Sequence, residues 1–295
     1  MSAQDNFHHV RDFPLFELPR GYTLDLPEIG GFQLTKFMVL QVVAAAIVFV
    51  VFRGLSKRVA GGKPAQGRFW NFWEAIALYI RDEVVRPTIG DGHHDHGDDH
   101  GDSSHGDGHS HAAVAHGGHF ADQYLPFIWS CFSYVLICNL LGAIPFLGSA
   151  TGEISVTLVL AFVSFLATFI YGAKAMGVVG FFGNLIPDTG MTGAGGFLMS
   201  IFMFLIELMG FFIKHAILAL RLFGNIMGGH AALGVILGFI AATANHGFAL
   251  WGVVTVGSVL GQVGVGILEL LVAFLQAYVF SFLATIFIAG AIHKH

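Results

Sequence analysis

Residues 196–242 read GFLMSIFMFLIELMGFFIKHAILALRLFGNIMGGHAALGVILGFIAA, and residues 248–292 form a second run of the same kind. Each is almost continuously apolar over about 45 residues. As a single α-helix, each would be roughly 65–70 Å long at 1.5 Å per residue, against a hydrocarbon core about 30 Å thick. Either each run breaks into two spans or each is one long helix lying steeply tilted, and ordinary tilts end near ~40°. Only ATANHG, residues 242–247, joins the two runs, so they fold as an antiparallel hairpin in either case.

Composition points the same way. Of 295 residues, 55% are hydrophobic and 11% charged, where soluble domains carry about 25% charged residues. The chain reads as an all-α polytopic membrane protein with about five membrane-embedded helices. Its formal net charge of −5 says little about partners, because six aspartates fall in one short segment, and nothing indicates nucleic acid as a partner. Cys131 and Cys138 lie seven residues apart in one apolar segment. That is too far along a helix for a disulfide, and they read as small core residues.

Outward from the hairpin, the first span is about Phe37–Phe52, followed by RGLSKRVAGGKPAQGR. That flank holds Arg53, Lys57, Arg58, Lys63 and Arg68 without an acid, so it faces the cytoplasm and residues 1–36 form an extracytoplasmic arm. The amino-terminal residues lack the basic-then-apolar pattern of a signal peptide. FWNFWEAIALYIRDEVVRP is too charged to span and suits an amphipathic helix at the cytoplasmic surface, which completes a segment over 37–90. Residues 91–119 hold nine histidines and six aspartates among many glycines. Such a segment cannot bury a core and is expected to be a disordered cytoplasmic insert. Residues 120–295 form the main embedded unit, with spans at about Tyr124–Phe146 and Ile154–Tyr171 joined by a short outside loop, GSATGE.

Charges inside the bilayer cost about 2.5–3.5 kcal/mol each even on the lenient scale, so they are functional candidates by default. The first long run holds Glu207, Lys214, Arg221, Asn225 and His230. At 100° per residue, steps of seven return to nearly one direction, so Glu207, Lys214 and Arg221 share a stripe that Asn225 continues within about 40°. His230 points the other way. In the second run Gln262, Glu269 and Gln276 are again seven apart. A register that sets Arg221 opposite Gln276 sets His230 within a turn of Glu269. Asn139 and Gln262 also suit simple interhelical hydrogen bonding, and Gly224, Gly228 and Gly229 let another helix approach closely. A purely structural reading leaves Arg221 unexplained.

With LALRLFGNIMGGH and ELLVAFLQAYVFSFLATIFI in view, the chain resembles subunit a of the rotary F-type ATP synthases. FRGLSKR after the first span and CNLLGAIP in the second fit that family too. The likeness covers about residues 37–90 and 120–292. It implies that the last two helices are long and steeply tilted, that Arg221 faces a rotating ring of c subunits, and that Gln276 and Asn225 neighbour it. It implies that His230 and Glu269 form a proton-inlet pair, in which a histidine beside a carboxylate relays protons near neutral pH. Glu207, Lys214 and Glu153 match polar positions of the proton path. The implied partners are the c-ring, b-type peripheral stalk subunits, the other ATP synthase subunits and membrane lipid. No cofactor or metal is implied, nucleotide chemistry falls to other subunits, and the setting is a bacterial inner membrane with the carboxyl terminus cytoplasmic. The alternative is a zinc transporter with a His-rich cytoplasmic loop, since imidazole suits zinc; such a protein also needs His and Asp ligands clustered within its spans.

Overall fold

The computed structural model describes residues 15–18, 22–25, 28–29, 32–60, 64–90, 119–144, 148–184, 194–244 and 247–292. The expected insert, save His119, lies outside the described residues. In the arm, strands β1 (Leu15–Leu18) and β2 (Tyr22–Asp25) pair antiparallel, as do β3 (Glu28–Ile29) and β4 (Phe32–Gln33). The sequence-based reading had assigned no element there. Beyond the arm the elements of the described residues are helices, and among the described residues five helices are long and apolar enough to cross a membrane.

Helix α1 spans Lys36–Val59, extending the first span through its basic flank, with Lys57 and Arg58 in the last turn. Cations there complement the negative end of the helix dipole. The chain then folds back as α2 (Arg68–Tyr79), a π-helical turn over Ile80–Val85, and α3 (Arg86–Ile89), which ends at Gly90 with φ +69°. Three contacts fix this return. The Trp70 ring occupies the space a side chain on Gly54 would need. Arg58 lies 4.0 Å over that ring, and Glu74 accepts the Ala65 N–H at 2.7 Å. One face of the segment, with Trp73, Ile80, Val84, Val85 and Ile89, is buried, while Phe69, Phe72 and Tyr79 are exposed. This is the amphipathic pattern the sequence predicts.

At the far end of this segment, Arg86 holds Asp122 through two parallel hydrogen bonds of 3.1 and 3.0 Å. Arg81 binds Asp82 at 2.8 Å, and that hydrogen bond holds the Asp82 carboxyl below the usual carboxylate range. A 3₁₀ turn over Phe120–Tyr124 leads into α4 (Leu125–Gly142), the most buried of the spans. Helix α4 stops earlier than the expected Phe146 because the chain reverses sharply. Ser149 packs where a Gly142 side chain would sit, and a 3₁₀ turn over Ala150–Gly152 folds inward. The GSATGE segment is therefore largely buried, with Ser149, Ala150 and Thr151 each under 4% exposed.

Helix α5 covers Ile154–Met176, and Gly177 at φ +77° turns the chain into a short α6, Val178–Asn184. Helices α7 (Ala194–Thr243) and α8 (Phe248–Ile292) are each unbroken, at 50 and 45 residues. Of the two options left by hydropathy, the continuous helix is the one adopted. Rods of roughly 68–75 Å cannot stand upright in a core about 30 Å thick, so both lie obliquely. The main core is the junction of α4, α7, α8 and the α2–α3 segment, around Ile128, Phe132, Leu218, Leu222, Phe280 and Ile288. A broad apolar face of α7 and α8 is left bare, including Ile213, Ile217, Leu220, Leu268, Leu271 and Leu275.

Candidate functional site

The seam between α7 and α8 collects the intramembrane polar residues. Its antiparallel register follows from three pairings. Asn225 Nδ2 donates to Gln276 Oε1 at 2.7 Å. A side chain on Gly229 would meet the Glu269 carboxylate, 3.1 Å from Oε1. Gly261 faces Ile236. Small residues on α7 allow this approach, in keeping with their use where helices pack in lipid.

Arg221 lies on α7 one helical turn before Asn225, and its side chain is exposed rather than turned into the bundle. The buried stripe on α7 is His215, Leu218, Ala219, Leu222 and Ile226, which sets the rotation that leaves Arg221 outside. Among the described residues Arg221 makes no hydrogen bond or ion pair with the rest of the chain; Gln276 is engaged by Asn225. Two turns earlier Lys214 lies 3.6 Å from Glu207, with both side chains about half exposed. The stripe seen in the seven-residue steps is thus an exposed face carrying one ion pair and one further cation.

Glu269 is buried at 9% exposure and sits against Gly229, the neighbour of His230 in the chain. His230 Nε2 is buried without a hydrogen-bond partner, and the same holds for Gln262 Nε2 and Gln276 Nε2. No direct bond joins His230 to Glu269 among the described residues. Buried donors and acceptors left unmade cost about 1–3 kcal/mol each, and bridging water is the common remedy in polar sites. Glu153 is half-buried at the start of α5, next to Gly152, which packs on Ile226 of α7.

Two buried polar residues near the seam, Ser149 and Thr151, are not singled out by the sequence reading, and they join Asn139, which is. Asn139 Nδ2 donates to the Ala273 carbonyl at 3.4 Å, and Thr151 Oγ1 donates to Asn139 Oδ1 at 2.9 Å. Ser149 and Thr151 share a further hydrogen bond of 3.1 Å. This buried chain ties α4 and the inward-folded turn to α8, between Glu269 and Gln276. Asn139 was read as interhelical glue, and its partners could not be named because a Ser-Ala-Thr-Gly run reads as a loop. His215, buried at 4% exposure, was passed over because it falls one residue off the seven-residue stripe. Among the described residues no three His, Cys, Asp or Glu side chains come together as a metal site.

The fold and the seam define a class: a polytopic helical membrane protein whose two longest helices hold a line of polar groups beside an exposed arginine. Over residues 110–289 the chain matches the family described as ATP synthase A chain. It is 32% identical to ATP synthase subunit a of Chloroherpeton thalassium over 295 residues, covering 98% of this chain and 76% of that one. It is also 32% identical to ATP synthase subunit a of Chlorobium phaeobacteroides over 298 residues, covering 98% and 75%. To the subunit a of Anaeromyxobacter dehalogenans it is 33% identical over 225 residues, covering 76% and 49%. This chain belongs to the ATP synthase A chain family.

Proposed function

We propose that the protein is the stationary subunit of a proton-driven ATP synthase, forming two offset half-channels against a rotating c-ring and coupling proton passage to rotation. The observation that carries this reading is the placement of Arg221. A permanent cation projects from the bare apolar face of α7 and α8, without an intramolecular partner among the described residues, beside a polar seam.

A rotary proton motor must let protons ride the rotor while stopping them from crossing directly. Protons entering from outside reach a c-ring carboxylate by way of His230 and Glu269, and the neutralised carboxyl turns into the lipid. After nearly a full turn it meets the exit side, where Arg221 favours its ionised form. An opposite charge close by lowers a carboxylate pKa by about 1–3 units. Arginine itself stays charged and keeps its proton, so it cannot pass one across the barrier. The Asn225–Gln276 pair braces the helices beside Arg221, and Glu207 and Lys214 line the same face. Glu153, near Ile226, fits the outer approach.

In this reading the bare face of α7 and α8 takes the c-ring, other faces take b-type stalk helices and lipid, and nucleotide chemistry belongs to other subunits. Residues 1–36 are the extracytoplasmic arm, 37–90 the first span with its interfacial helix, 91–119 a cytoplasmic insert, and 120–295 the channel unit. The setting is a bacterial inner membrane, with the carboxyl terminus in the cytoplasm.

The test is proximity cross-linking in native membranes. Leu220→Cys and Gly224→Cys, flanking Arg221, should each form a disulfide with cysteines placed beside the membrane carboxylate of subunit c, and cross-linking should stop rotation. Efficient cross-linking of both positions only to lipid or to stalk subunits would overturn the assignment.

A further inference from the structure

The apolar run of α1 ends at Phe52, and Arg53, Lys57 and Arg58 follow in its closing turns, all exposed. The fold-back brings Arg68, the first residue of α2, to the same corner. Two residues further on, Trp70 fills the notch at Gly54 and lies under the Arg58 guanidinium at 4.0 Å. Between Glu28 and Glu74 the sequence contains no acid, and Glu74 is engaged by the Ala65 N–H. Among the described residues the ion pairs join Arg81, Arg86 and Lys214 to acids elsewhere, and none involves these four cations. Helix α2 also opens at Gly67 with no side-chain cap and no acid in its first turn. Its first N–H groups therefore add the positive end of a helix dipole to the corner.

Bare apolar surface leads into these charges. At 3.6 residues per turn, Val42, Phe49, Val50, Arg53 and Lys57 fall within about 100° of one another around α1. The three apolar side chains are each well over half exposed, so one stripe runs from hydrocarbon straight into the cations. On α2, Phe69 and Phe72 beside Arg68 are more than half exposed as well. Cations just past the apolar length of a span stand at the level of the lipid headgroups, and an amphipathic helix such as α2 lies in that layer. An acidic polypeptide would meet the charges and leave the apolar stripe bare. A zwitterionic lipid would cover the stripe but carry its own ammonium into a cationic corner. A lipid whose headgroup is net negative satisfies both.

We propose that the α1–α2 corner binds an anionic phospholipid, its phosphodiester held by Arg53, Lys57, Arg58 and Arg68 and an acyl chain lying along Val42, Phe49 and Val50. A guanidinium presents its N–H donors in a flat fork that matches phosphate, and cations clustered beside a span draw anionic lipid. The Arg58–Trp70 stack and the Trp70–Gly54 contact hold the two helix ends together, so the cations of α2 and α1 act on one headgroup. The site requires only that α1 spans the bilayer, and it is independent of the proton path and of Arg221.

The test uses the intact complex in nanodiscs of phosphatidylcholine, doped with photoreactive phosphatidylglycerol or photoreactive phosphatidylcholine carrying the reactive group beside the phosphate. At low salt the glycerol lipid should label the ends of α1 and α2 roughly ten-fold more than the choline lipid, and added salt should reduce the difference. Each cation removed should weaken labelling by the glycerol lipid about five-fold, so Arg53→Gln/Lys57→Gln should bring the two lipids level. Both residues are exposed and unpaired among the described residues, so assembly should be kept. Lys174→Gln removes a cation at the end of α5, away from the corner, and should leave the preference unchanged. Equal labelling of the unaltered complex by the two lipids, a preference that survives Arg53→Gln/Lys57→Gln, or an equal loss in Lys174→Gln would each overturn the proposal. So would capture of the corner by another subunit with no lipid labelled there. The comparison of lipids on the unaltered complex decides the matter even if the double variant does not assemble.

Discussion

Asn225 donates its amide hydrogen to Gln276 Oε1 at 2.7 Å, tying α7 to α8 one turn from Arg221. Gln276 is 3% exposed, so Asn225→Ala leaves its carbonyl without this partner. Interhelical hydrogen bonds in membranes average about 0.6 kcal/mol, with a maximum near ~1.7. The single variants should therefore lower the thermal stability of the purified subunit by about 1 kcal/mol, and Asn225→Ala/Gln276→Ala should cost less than their sum. Strict additivity in that cycle would show that the bond contributes nothing.

Arg221→Lys keeps a cation at the position but replaces a guanidinium that stays charged with an ammonium that loses its proton more readily when desolvated. The complex should assemble, since Arg221 is exposed and holds no other described part of the chain. Proton-driven ATP synthesis in inverted vesicles should fall below detection. Synthesis near the unaltered rate would remove Arg221 from the role proposed for it.

Two glycines on α7 separate the inward seam from the outward face. A Cβ on Gly229 would come within 3.1 Å of Glu269 Oε1 and 3.2 Å of its Cδ, whereas one on Gly224 meets nothing within 4 Å. Gly229→Leu should displace the carboxylate and slow proton flux about as much as Glu269→Leu, with assembly retained. Gly224→Leu should leave the isolated subunit folded and weaken its hold on the c-ring, because the open side of Gly224 lies on the face assigned to the rotor. Flux through reconstituted vesicles measures the first effect, and retention of the ring during purification measures the second. Equal behaviour of the two leucine variants would contradict the division of α7 into two faces.

These contrasts also show what the sequence could and could not express. Helical periodicity placed Gln262, Glu269 and Gln276 on one face, and an antiparallel hairpin then brings Gln276 near residues 221–225 and Glu269 near 229–230. Periodicity does not state which residue of a turn makes the hydrogen bond, and Asn225 rather than Arg221 makes it. Hydropathy alone could not decide between one rod and two, because glycine tolerates both. The inward fold of Ser149–Thr151 depends on Asn139, ten residues earlier in the chain, and on a notch at Gly142. No local signal announces a contact of that kind. The orientation of His215 was hidden for a related reason: only the packing of α5 and α8 shows which side of α7 is inside.

The Arg86–Asp122 clasp bears on residues 91–118. Its two hydrogen bonds, at 3.1 and 3.0 Å, join α3 directly to the turn that opens α4. The flanks of the segment are therefore held together by contacts that do not involve it. A partly exposed ion pair contributes about 1 kcal/mol or less, but Val84, Val85, Ile89 and Ala121 are buried in the same core and reinforce the junction. Replacing residues 91–118 with a short Gly-Ser linker should leave assembly intact and ATP synthesis within about two-fold of the unaltered rate, since closing a shorter flexible loop changes the entropy cost by only ~0.6 kcal/mol per halving of length. Asp122→Asn in that shortened chain should then expose α3 to proteolysis. A shortened chain that assembles but no longer supports synthesis would assign the histidine-rich segment a role in coupling.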